Sequence, residues 1–435
     1  MEQSGFSERL RIEKPEDIPE IEKAKLFYLE KNPREVNPDA KRVMITFDNP
    51  GPYNGLVPVI SALSADLRCR GIIVLASGWG AQEFSKNTLS SSFEEVGPNT
   101  DPKNPTRETV LADILQETTA YEPDIVLVSA SAKNGPETVG LFASRTNFGA
   151  KRMYYFMDGW GGAPIFYNKT NPNEKSESRI EGVFCNDEIA KRIAMRVIPE
   201  LPEERFLVTG SPVIDGLYVE DSETLTEEAR RKLEIDPDTT AILFLGDVSG
   251  EYTAANGYSG VDSQNFNMRT FERTFESVRA AAQHNSRKKF ALMVRPHPRD
   301  PRKDELLQRA ETMEILPNMQ VCIATHPEIT MQEARYAADA VAGFISTENF
   351  LAPRIGRRAI FLAFREEGLG QKIIDVSYGD RAADIEKTDD LISFVHDPSE
   401  LQSVLTALSR APIHVEKPKG NIPAKENILN TIFTL

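Results

Sequence analysis

The sequence predicts an α/β protein made of two doubly wound, Rossmann-like domains that face each other across a cleft. From about residue 41 onward, apolar runs of strand length alternate with segments of helical pattern, which is typical of parallel sheets covered by helices. This alternation starts afresh at Ala241–Leu245, after an acidic stretch. The chain of 435 residues is also too long for one ordinary core, so two domains are expected.

The expected domain boundaries lie where the alternation stops and restarts. The N-terminal domain is predicted to span 1–212 and to carry a polar extension over 1–40. The C-terminal domain is predicted to span 213–420, after a hinge at Gly210–Asp215. A helix over 421–435 ends the chain, and we expect it to return to the N-terminal domain.

Several segments of the N-terminal half have recognisable local patterns. A helix is expected around Pro19–Glu30, because a proline in the first helical turn costs little. Arg42–Phe47 has the composition of the first strand, and it is followed by a turn-rich loop, Asp48–Gly55, and a helix, Leu56–Leu67. The polar insertion Ser77–Thr106 is expected to be a functional or mobile loop, because of its length.

The loop Asp48–Gly55 contains two candidate substrate-binding residues, Gly51 and Gly55. A strand, a Gly/Pro loop and a helix in succession are how a doubly wound domain begins. The loop does not match G-x-G-x-x-G, so the sequence predicts no dinucleotide fingerprint.

An aspartate follows a later strand of the same half. The apolar run Arg152–Met157 ends at Asp158, which precedes the sequence Gly-Trp-Gly-Gly. A carboxylate at the carboxyl end of a parallel strand is well placed to act as a catalytic base. The alternative is a turn in which Asp and Gly serve only the backbone conformation.

Composition limits the partners and the compartment. The chain carries 51 Lys and Arg against 66 Asp and Glu, a formal net charge of −15, which argues against nucleic acid or an anionic membrane as the main partner. Cys69, Cys185 and Cys322 form no C-x-x-C pair, and the last two lie in apolar runs, so buried free thiols are expected. No apolar run has the length of a signal segment or a membrane span. These features favour a cytoplasmic protein and leave its oligomeric state open.

The stretch Ala337–Phe361 is the most informative part of the second half. Ala340–Ile345 is an apolar run typical of a strand that is covered on both faces. Ser346 and Thr347 follow it, and either hydroxyl is expected to cap a short helix that begins near Glu348. A helix N-terminus at this edge of an open sheet suits a phosphate, and a carboxylate there can accept hydrogen bonds from a sugar diol.

Four loops of the C-terminal half begin where a predicted strand ends, so we expect them to share one edge of the sheet. These loops are Gly246–Gly250, Arg295–Arg299, Thr325–Pro327 and Ser346–Glu348. Together they offer backbone N–H groups, hydroxyls, two arginines and two histidines, which a diphosphate needs in an acidic protein. The spacings of the histidines and cysteines match no zinc site. Neither a metal nor a resident cofactor is expected. The candidate binding residues in these loops are Gly246, Ser249, Arg295, His326, Ser346, Thr347 and Glu348, and the candidate catalytic residue is His297.

These motifs resemble those of a known superfamily. Two doubly wound halves, the G-S-P-x-x-D motif at Gly210–Asp215 and a terminal helix resemble the GT-B fold of nucleotide-sugar glycosyltransferases. The segment A-D-A-V-A-G-F-I-S-T-E, at Ala338–Glu348, resembles the donor-binding region of that superfamily, as does A-P-R-I-G-R-R-A-I after it. The R-P-H-P motif at Arg295–Pro298 resembles capsule-type and CDP-glycerol-type transferases and, more distantly, non-hydrolysing UDP-GlcNAc 2-epimerases.

The resemblance implies roles for the candidate residues of the C-terminal half. Arg295 and His297 would contact the phosphates of a nucleotide-sugar donor. Ser346 and Thr347 would bind phosphate through hydroxyl and backbone groups, and Glu348 would hold the ribose or the donor sugar. The C-terminal half would therefore be the donor domain, and the N-terminal half the acceptor domain.

The reaction that the resemblance implies is inverting, metal-independent glycosyl transfer from a nucleotide-diphosphate sugar to a hydroxyl acceptor. The acceptor would be a glycan, a lipid-linked saccharide or a small molecule, Asp158 would be its general base, and Gly246 and Ser249 would line the pyrophosphate. Three alternatives stay open: a UDP-sugar 2-epimerase, a polyol-phosphate transferase and a non-catalytic nucleotide-sugar binding module. The sequence around Asp158 lacks the His-x-Glu-Ala-Gly type motif of the epimerases, which favours transfer.

Overall fold

The computed structural model divides the chain into two compact units. Unit 1 comprises Met1–Asp215 and Ile422–Leu435, and unit 2 comprises Gly216–Asn421. The residues that the structure describes are 24–47, 50–96, 116–118, 120–129, 152–157, 159–160, 180–199, 201–217, 222–246, 266–298, 300–325, 327–344, 346–364, 390–408 and 422–434.

Unit 1 contains an eight-stranded sheet of order β4-β1-β3-β2-β5-β6-β7-β8. The strands β2, β3 and β5 to β8 run parallel, whereas β1 runs antiparallel to both of its neighbours. The strands are β1 Lys25–Glu30, β2 Lys41–Phe47, β3 Cys69–Ala76, β4 Glu94–Val96, β5 Ile125–Ser129, β6 Arg152–Phe156, β7 Ile180–Cys185 and β8 Phe206–Val208. Their helices are α1 Pro50–Ala65, α2 Gly78–Lys86, α3 Glu188–Val197, α4 Pro212–Asp215 and α11 Ala424–Thr434.

Two sequence predictions for unit 1 are wrong. The segment Lys25–Glu30 is a strand rather than the second half of a helix, because Leu26 and Phe27 are buried there while the backbone pairs along β3. The insertion that begins at Ser77 is not one long loop. It contains α2, a 3-10 helix at Thr88–Ser92 and the short strand β4, which pairs with β1.

The first helix begins six residues earlier than predicted. Helix α1 starts at Pro50 instead of Leu56, so Gly51 and Gly55 lie inside it and not in a loop. Prolines in the first turn are tolerated because the first N–H groups of a helix have no intrahelical partner. Helix α1 contributes four buried residues to the unit 1 core, namely Leu56, Val59, Ile60 and Leu63.

The motif Gly210–Asp215 holds the start of the last helix. Gly210 adopts a φ of +81°, and a Cβ there would lie 3.2 Å from the Ala424 Cβ. The Asp215 Oδ2 atom accepts a 2.7 Å hydrogen bond from the Ala424 N–H, which is a donor in the first turn of α11. From there α11 places Ile428, Leu429 and Ile432 in the unit 1 core.

Unit 2 contains a six-stranded sheet of order β11-β10-β9-β12-β13-β14, with all neighbours parallel. Counted along the chain from β9, this is the order 3-2-1-4-5-6 of doubly wound nucleotide-binding domains. The prediction of two doubly wound α/β halves is therefore confirmed. The strands are β9 Thr240–Leu245, β10 Phe290–Arg295, β11 Met319–Ile323, β12 Ala340–Gly343, β13 Arg358–Leu362 and β14 Ile392–Val395.

Helices bury both faces of this sheet. One face packs against α6 Phe266–His284, α7 Lys303–Thr312 and α10 Pro398–Ala407. The other packs against α5 Ser222–Lys232 and α8 Met331–Ala337. A four-residue helix, α9 Glu348–Leu351, follows β12. None of the helices in the described part of the chain is both long and apolar enough to cross a bilayer.

A buried charge cluster lies at the amino-terminal ends of the unit 2 strands. The Asp339 Oδ2 atom accepts a 2.8 Å hydrogen bond from the Ala241 N–H and lies 3.6 Å from Arg230 Nη1. The Asp339 Oδ1 atom lies 3.7 Å from Arg357 Nη1. All three charged side chains are at most 4% exposed, so the carboxylate is the buried counter-charge of two guanidinium groups.

Candidate functional site

The strand order of unit 2 reverses at one place in its sheet. Strand β9 lies between β10 and β12, and the chain leaves β9 in one direction and returns to β12 on its other side. Ligands of open α/β sheets bind at such a switch point, outside the carboxyl ends of the strands. The site is therefore built from the residues that follow Leu245, Val294 and Gly343.

Gly246 lies at the centre of this edge. Its N–H donates a 2.9 Å hydrogen bond to the Arg295 carbonyl oxygen. A Cβ at this position would lie 3.0 Å from the Pro296 Cα and 3.2 Å from the His297 nitrogen, both backbone atoms. The loops after β9 and β10 thus approach each other so closely that a side chain at Gly246 would require the neighbouring backbone to shift.

Replacing Gly246 with alanine is therefore expected to force these two loops apart. We expect Gly246→Ala to lower the free energy of unfolding by about 1–3 kcal/mol, as overpacking of a dense site does, and to weaken nucleotide binding. Urea unfolding and isothermal titration calorimetry measure the two effects. Alanine at the exposed helical position Gln308 is the control, and equal behaviour of the two variants would contradict the close approach.

Arg295 braces the neighbouring loop. Its Nη1 donates to the carbonyl oxygens of Ala324 and, at 2.9 Å, Ile329, which lie between β11 and α8. Burial lowers the pKa of the Arg295 guanidinium, and the nearby Glu348 carboxylate acts in the opposite direction. The expected phosphate contact of Arg295 stays a prediction, and the structure adds a structural role that the sequence did not indicate.

Two buried residues, Asp300 and Asn267, fix the loop that carries His297. The His297 carbonyl oxygen accepts a 2.9 Å bond from the Asp300 N–H. The Asp300 carboxylate accepts bonds from the Arg302 N–H at 3.0 Å and from Asn267 Nδ2 at 2.7 Å. Since Asn267 lies in the first turn of α6, this contact ties the β10 loop to that helix. Sequence reasoning missed both residues, because their contact joins elements 33 positions apart.

The loop after β12 is short and tightly bonded. The Ser346 Oγ atom accepts a 3.3 Å bond from the Glu348 N–H, so the expected hydroxyl cap comes from Ser346 and not from Thr347. The buried Asn349 amide donates to the Gly343 and Ile360 carbonyl oxygens at 3.1 and 3.0 Å. Helix α9 has only four residues, so its macrodipole adds little and any phosphate must be held by side chains and local N–H groups.

Glu348 forms a forked ion pair with Arg335, in the last turn of α8. The Arg335 Nη2 atom donates to Glu348 Oε1 at 2.9 Å, and Arg335 Nε donates to Oε2. The side chains are 7% and 15% exposed. Nothing in the sequence marks Arg335, since the pair joins two helices and only the fold brings them together.

Unit 1 presents its own set of residues at the carboxyl edge of its sheet. Gly51 is partly exposed in the first turn of α1, whereas Gly55 is buried against Phe156, whose Cζ would lie 2.6 Å from an added Cβ. Trp160 Nε1 donates to both carboxylate oxygens of Asp187 at 2.9 Å. Gly55 thus has a packing role, and the Trp160 contact fixes the chain just after the predicted base.

The remaining predicted site residues, Asp158, Ser249 and His326, lie outside the described residues. Within the described ranges, no group of three or more His, Cys, Asp or Glu side chains is arranged to hold a metal ion. All three cysteines are free and buried, and burial raises the pKa of the Cys69 thiol to about 12.

The chain aligns over 90–91% of its length with three solved structures, at 13–17% sequence identity. The UDP-GlcNAc 2-epimerase of Methanocaldococcus jannaschii, in complex with UDP-GlcNAc and UDP, aligns with a TM-score of 0.54 and 13% identity over 91% of this chain and 100% of that one. The fold is of the GT-B type. The UDP-N-acetylglucosamine 2-epimerase of Rickettsia bellii aligns on the same GT-B fold with a TM-score of 0.53 and 13% identity, over 91% and 96% of the chains.

A third GT-B structure, of S. aureus MnaA with UDP, aligns with a TM-score of 0.51 and 17% identity, over 90% of this chain and 96% of that one. No protein-family model matches the sequence, and no curated protein matches it. The resemblance drawn from the sequence motifs to the GT-B superfamily is confirmed at the level of the fold.

Proposed function

We propose that this protein is an enzyme that acts on a nucleoside-diphosphate sugar, and that unit 2 binds the nucleoside diphosphate. The observation that carries the proposal is Gly246 at the switch point of the unit 2 sheet, where its backbone meets the loop of Arg295 and His297. Backbone N–H groups and cationic side chains at this edge suit a diphosphate.

The local charge supports the same proposal. Arg295 and Arg335 both act on the carboxylate of Glu348, so two cationic side chains face one carboxylate here although the chain has a net charge of −15. In our proposal Ser346, Thr347 and Ser249 bind phosphate oxygens, with His297 and His326 beside them. Glu348 accepts hydrogen bonds from the ribose hydroxyls.

The first candidate reaction is inverting glycosyl transfer without a metal. Asp158 takes the proton of the acceptor hydroxyl as its oxygen attacks the anomeric carbon of the donor. The bond from that carbon to the diphosphate oxygen breaks, and the leaving diphosphate gains the negative charge. Arg295 and His297 stabilise this charge as it develops. A polyol-phosphate transferase would use the same diphosphate site with a different group transferred.

The second candidate is epimerisation at C2 of a UDP-sugar, since the superposed GT-B structures include UDP-GlcNAc 2-epimerases. In that reaction a carboxylate or histidine removes the proton at C2 as the bond from C1 to the UDP oxygen breaks, which leaves a double bond between C1 and C2. UDP then adds back to C1, and a proton is delivered to the other face of C2. This candidate needs no acceptor, which makes the two reactions separable in one assay.

A two-step experiment tests the proposal. Thermal-shift measurements with UDP-, GDP-, CDP- and dTDP-sugars identify the donor, because a ligand that binds the folded state raises the melting temperature. The best ligand is then incubated alone and with hydroxyl acceptors. Epimerised sugar without an acceptor supports the second candidate, and a new glycoside supports the first. Tight binding with no turnover would make the protein a binding module, and no binding at all would refute the proposal.

A further inference from the structure

We infer that Arg335 is a positioning residue that fixes the Glu348 carboxylate for the vicinal diol of a ribonucleotide. The inference rests on the proposed nucleotide site of unit 2, and it adds a specificity: the site should distinguish ribonucleotides from 2′-deoxyribonucleotides. The juxtaposition that carries it is the fork of Arg335 on Glu348 beside the switch point.

The fork leaves the carboxylate able to bind a diol. The Arg335 Nε and Nη2 atoms each engage one carboxylate oxygen, so the plane of the carboxylate is fixed. A carboxylate has about four acceptor positions on its two oxygens, and the fork uses two of them. Glu348 keeps 15% of its side chain exposed. The two remaining acceptor positions match the two neighbouring hydroxyl donors of a ribose.

Arg335 is itself held rigidly by the helix that carries it. Helix α8 begins with a capping box, in which Thr330 Oγ1 accepts from the Glu333 N–H at 3.1 Å and Glu333 Oε2 accepts from the Thr330 N–H at 2.8 Å. Lys232 of α5 donates a hydrogen bond to the same Glu333 carboxylate. The hydrogen bonds from Lys232 and from the Thr330 N–H lower the pKa of Glu333 to about 2. The neighbouring Tyr336 donates its O–H to the Leu217 carbonyl oxygen. The guanidinium therefore projects from an anchored element.

Arg295 also supports the pair of Arg335 and Glu348, through the segment that leads into α8. Its Nη1 holds the carbonyl oxygens of Ala324 and Ile329, in the segment that leads into α8. Its charge also acts on Glu348. Two arginines thus act on one carboxylate at the edge where a diphosphate is proposed, and cationic side chains suit the phosphates next to the ribose.

The other buried ion cluster of unit 2 shows what a purely structural arrangement looks like. The Asp339 carboxylate, between Arg230 and Arg357, is 0% exposed and lies at the amino ends of the strands. Glu348 lies at the carboxyl end of β12, next to the switch-point strand, and stays partly exposed. Its position and its open acceptor positions are those of a carboxylate that receives a ligand.

The test compares dissociation constants for matched nucleotides. UDP, CDP, GDP and ADP are titrated calorimetrically, and the tightest binder is compared with its 2′-deoxy form. Loss of a hydrogen bond to a charged group costs about 1.5–3 kcal/mol, so the wild type should bind the deoxy form about 10- to 100-fold more weakly. Arg335→Lys keeps the charge but loses the fork, and its preference should fall to about threefold or less by weakening ribonucleotide binding alone.

Two further variants separate a positioning role from a structural one. Glu348→Asp keeps the negative charge but shortens the side chain by one methylene, which moves the carboxylate away from the diol, so it should also lose the preference. Arg309→Lys, at an exposed pair with Glu272, is the control and should keep it. Equal weakening of both nucleotides in Arg335→Lys would make Arg335 merely structural and overturn the inference, and so would a wild type that binds both equally. A wild type that binds no nucleotide refutes the proposed function as well.

Discussion

The Asp158→Asn variant is expected to lose turnover of the nucleotide sugar while its affinity for the donor stays unchanged. A general base contributes typically about 10²–10⁴-fold to rate. Asparagine has almost the same shape as aspartate but does not accept a proton, so kcat should fall by that factor. Initial rates at saturating donor and acceptor, together with calorimetric donor affinity, measure the two quantities separately.

The control for this experiment is Glu188→Gln, an exposed acid in the first turn of α3. It removes one negative charge from the same edge of unit 1 and should leave kcat near the wild-type value. A fall in donor affinity as large as the fall in kcat would show that Asp158 supports the structure. Full activity of Asp158→Asn would assign the base to another residue.

The second large effect is expected on stability, from Asp339→Asn. This change keeps the side-chain volume but removes the carboxylate charge between Arg230 and Arg357. Removing one partner of a buried ion pair costs about 3–5 kcal/mol, because it leaves an uncompensated charge in the interior. Hydrogen exchange of the β9 and β12 amides measures the free energy of local unfolding of these strands. We expect these amides to exchange faster in Asp339→Asn than in the wild type.

The same substitution at Asp236 is the matched control. Asp236 pairs with Lys289 on the surface of the same unit, at 2.7 Å, with both side chains about half exposed or more. Solvent screens such pairs, so Asp236→Asn should leave the exchange rates close to those of the wild type. Equal effects of the two variants would mean that the Asp339 carboxylate is replaceable by neutral hydrogen bonding.

The parts of the fold that were predicted correctly are those with a local signal. The buried strands of unit 2 are continuous apolar runs, such as Thr240–Leu245 and Phe290–Arg295, because parallel strands covered on both faces need them. The segment Lys25–Glu30 was misassigned because its polar ends mask a short strand that pairs with β3 only in the folded protein. Tertiary contacts outweighed local preference there.

The candidate site divides in the same way. Gly246, Ser346 and Glu348 could be placed at one edge of the sheet because each comes soon after an apolar strand, and strand ends of a parallel sheet meet at one edge. Arg335, Asn267 and Asn349 could not, because each acts through a partner on another element or through the backbone of a distant strand. Residues that orient a site carry no local signature of their own.

The contribution of α11 to the core of unit 1 has a consequence for synthesis on the ribosome. The residues Ile428, Leu429 and Ile432 complete a core that begins near Phe27, so they emerge only after the whole of unit 2 has been translated. The described strands of unit 2 have all been translated before that moment. Unit 1 therefore completes its core only after unit 2 has been translated, and until then the apolar residues that pack against α11 lack that partner and can bind chaperones.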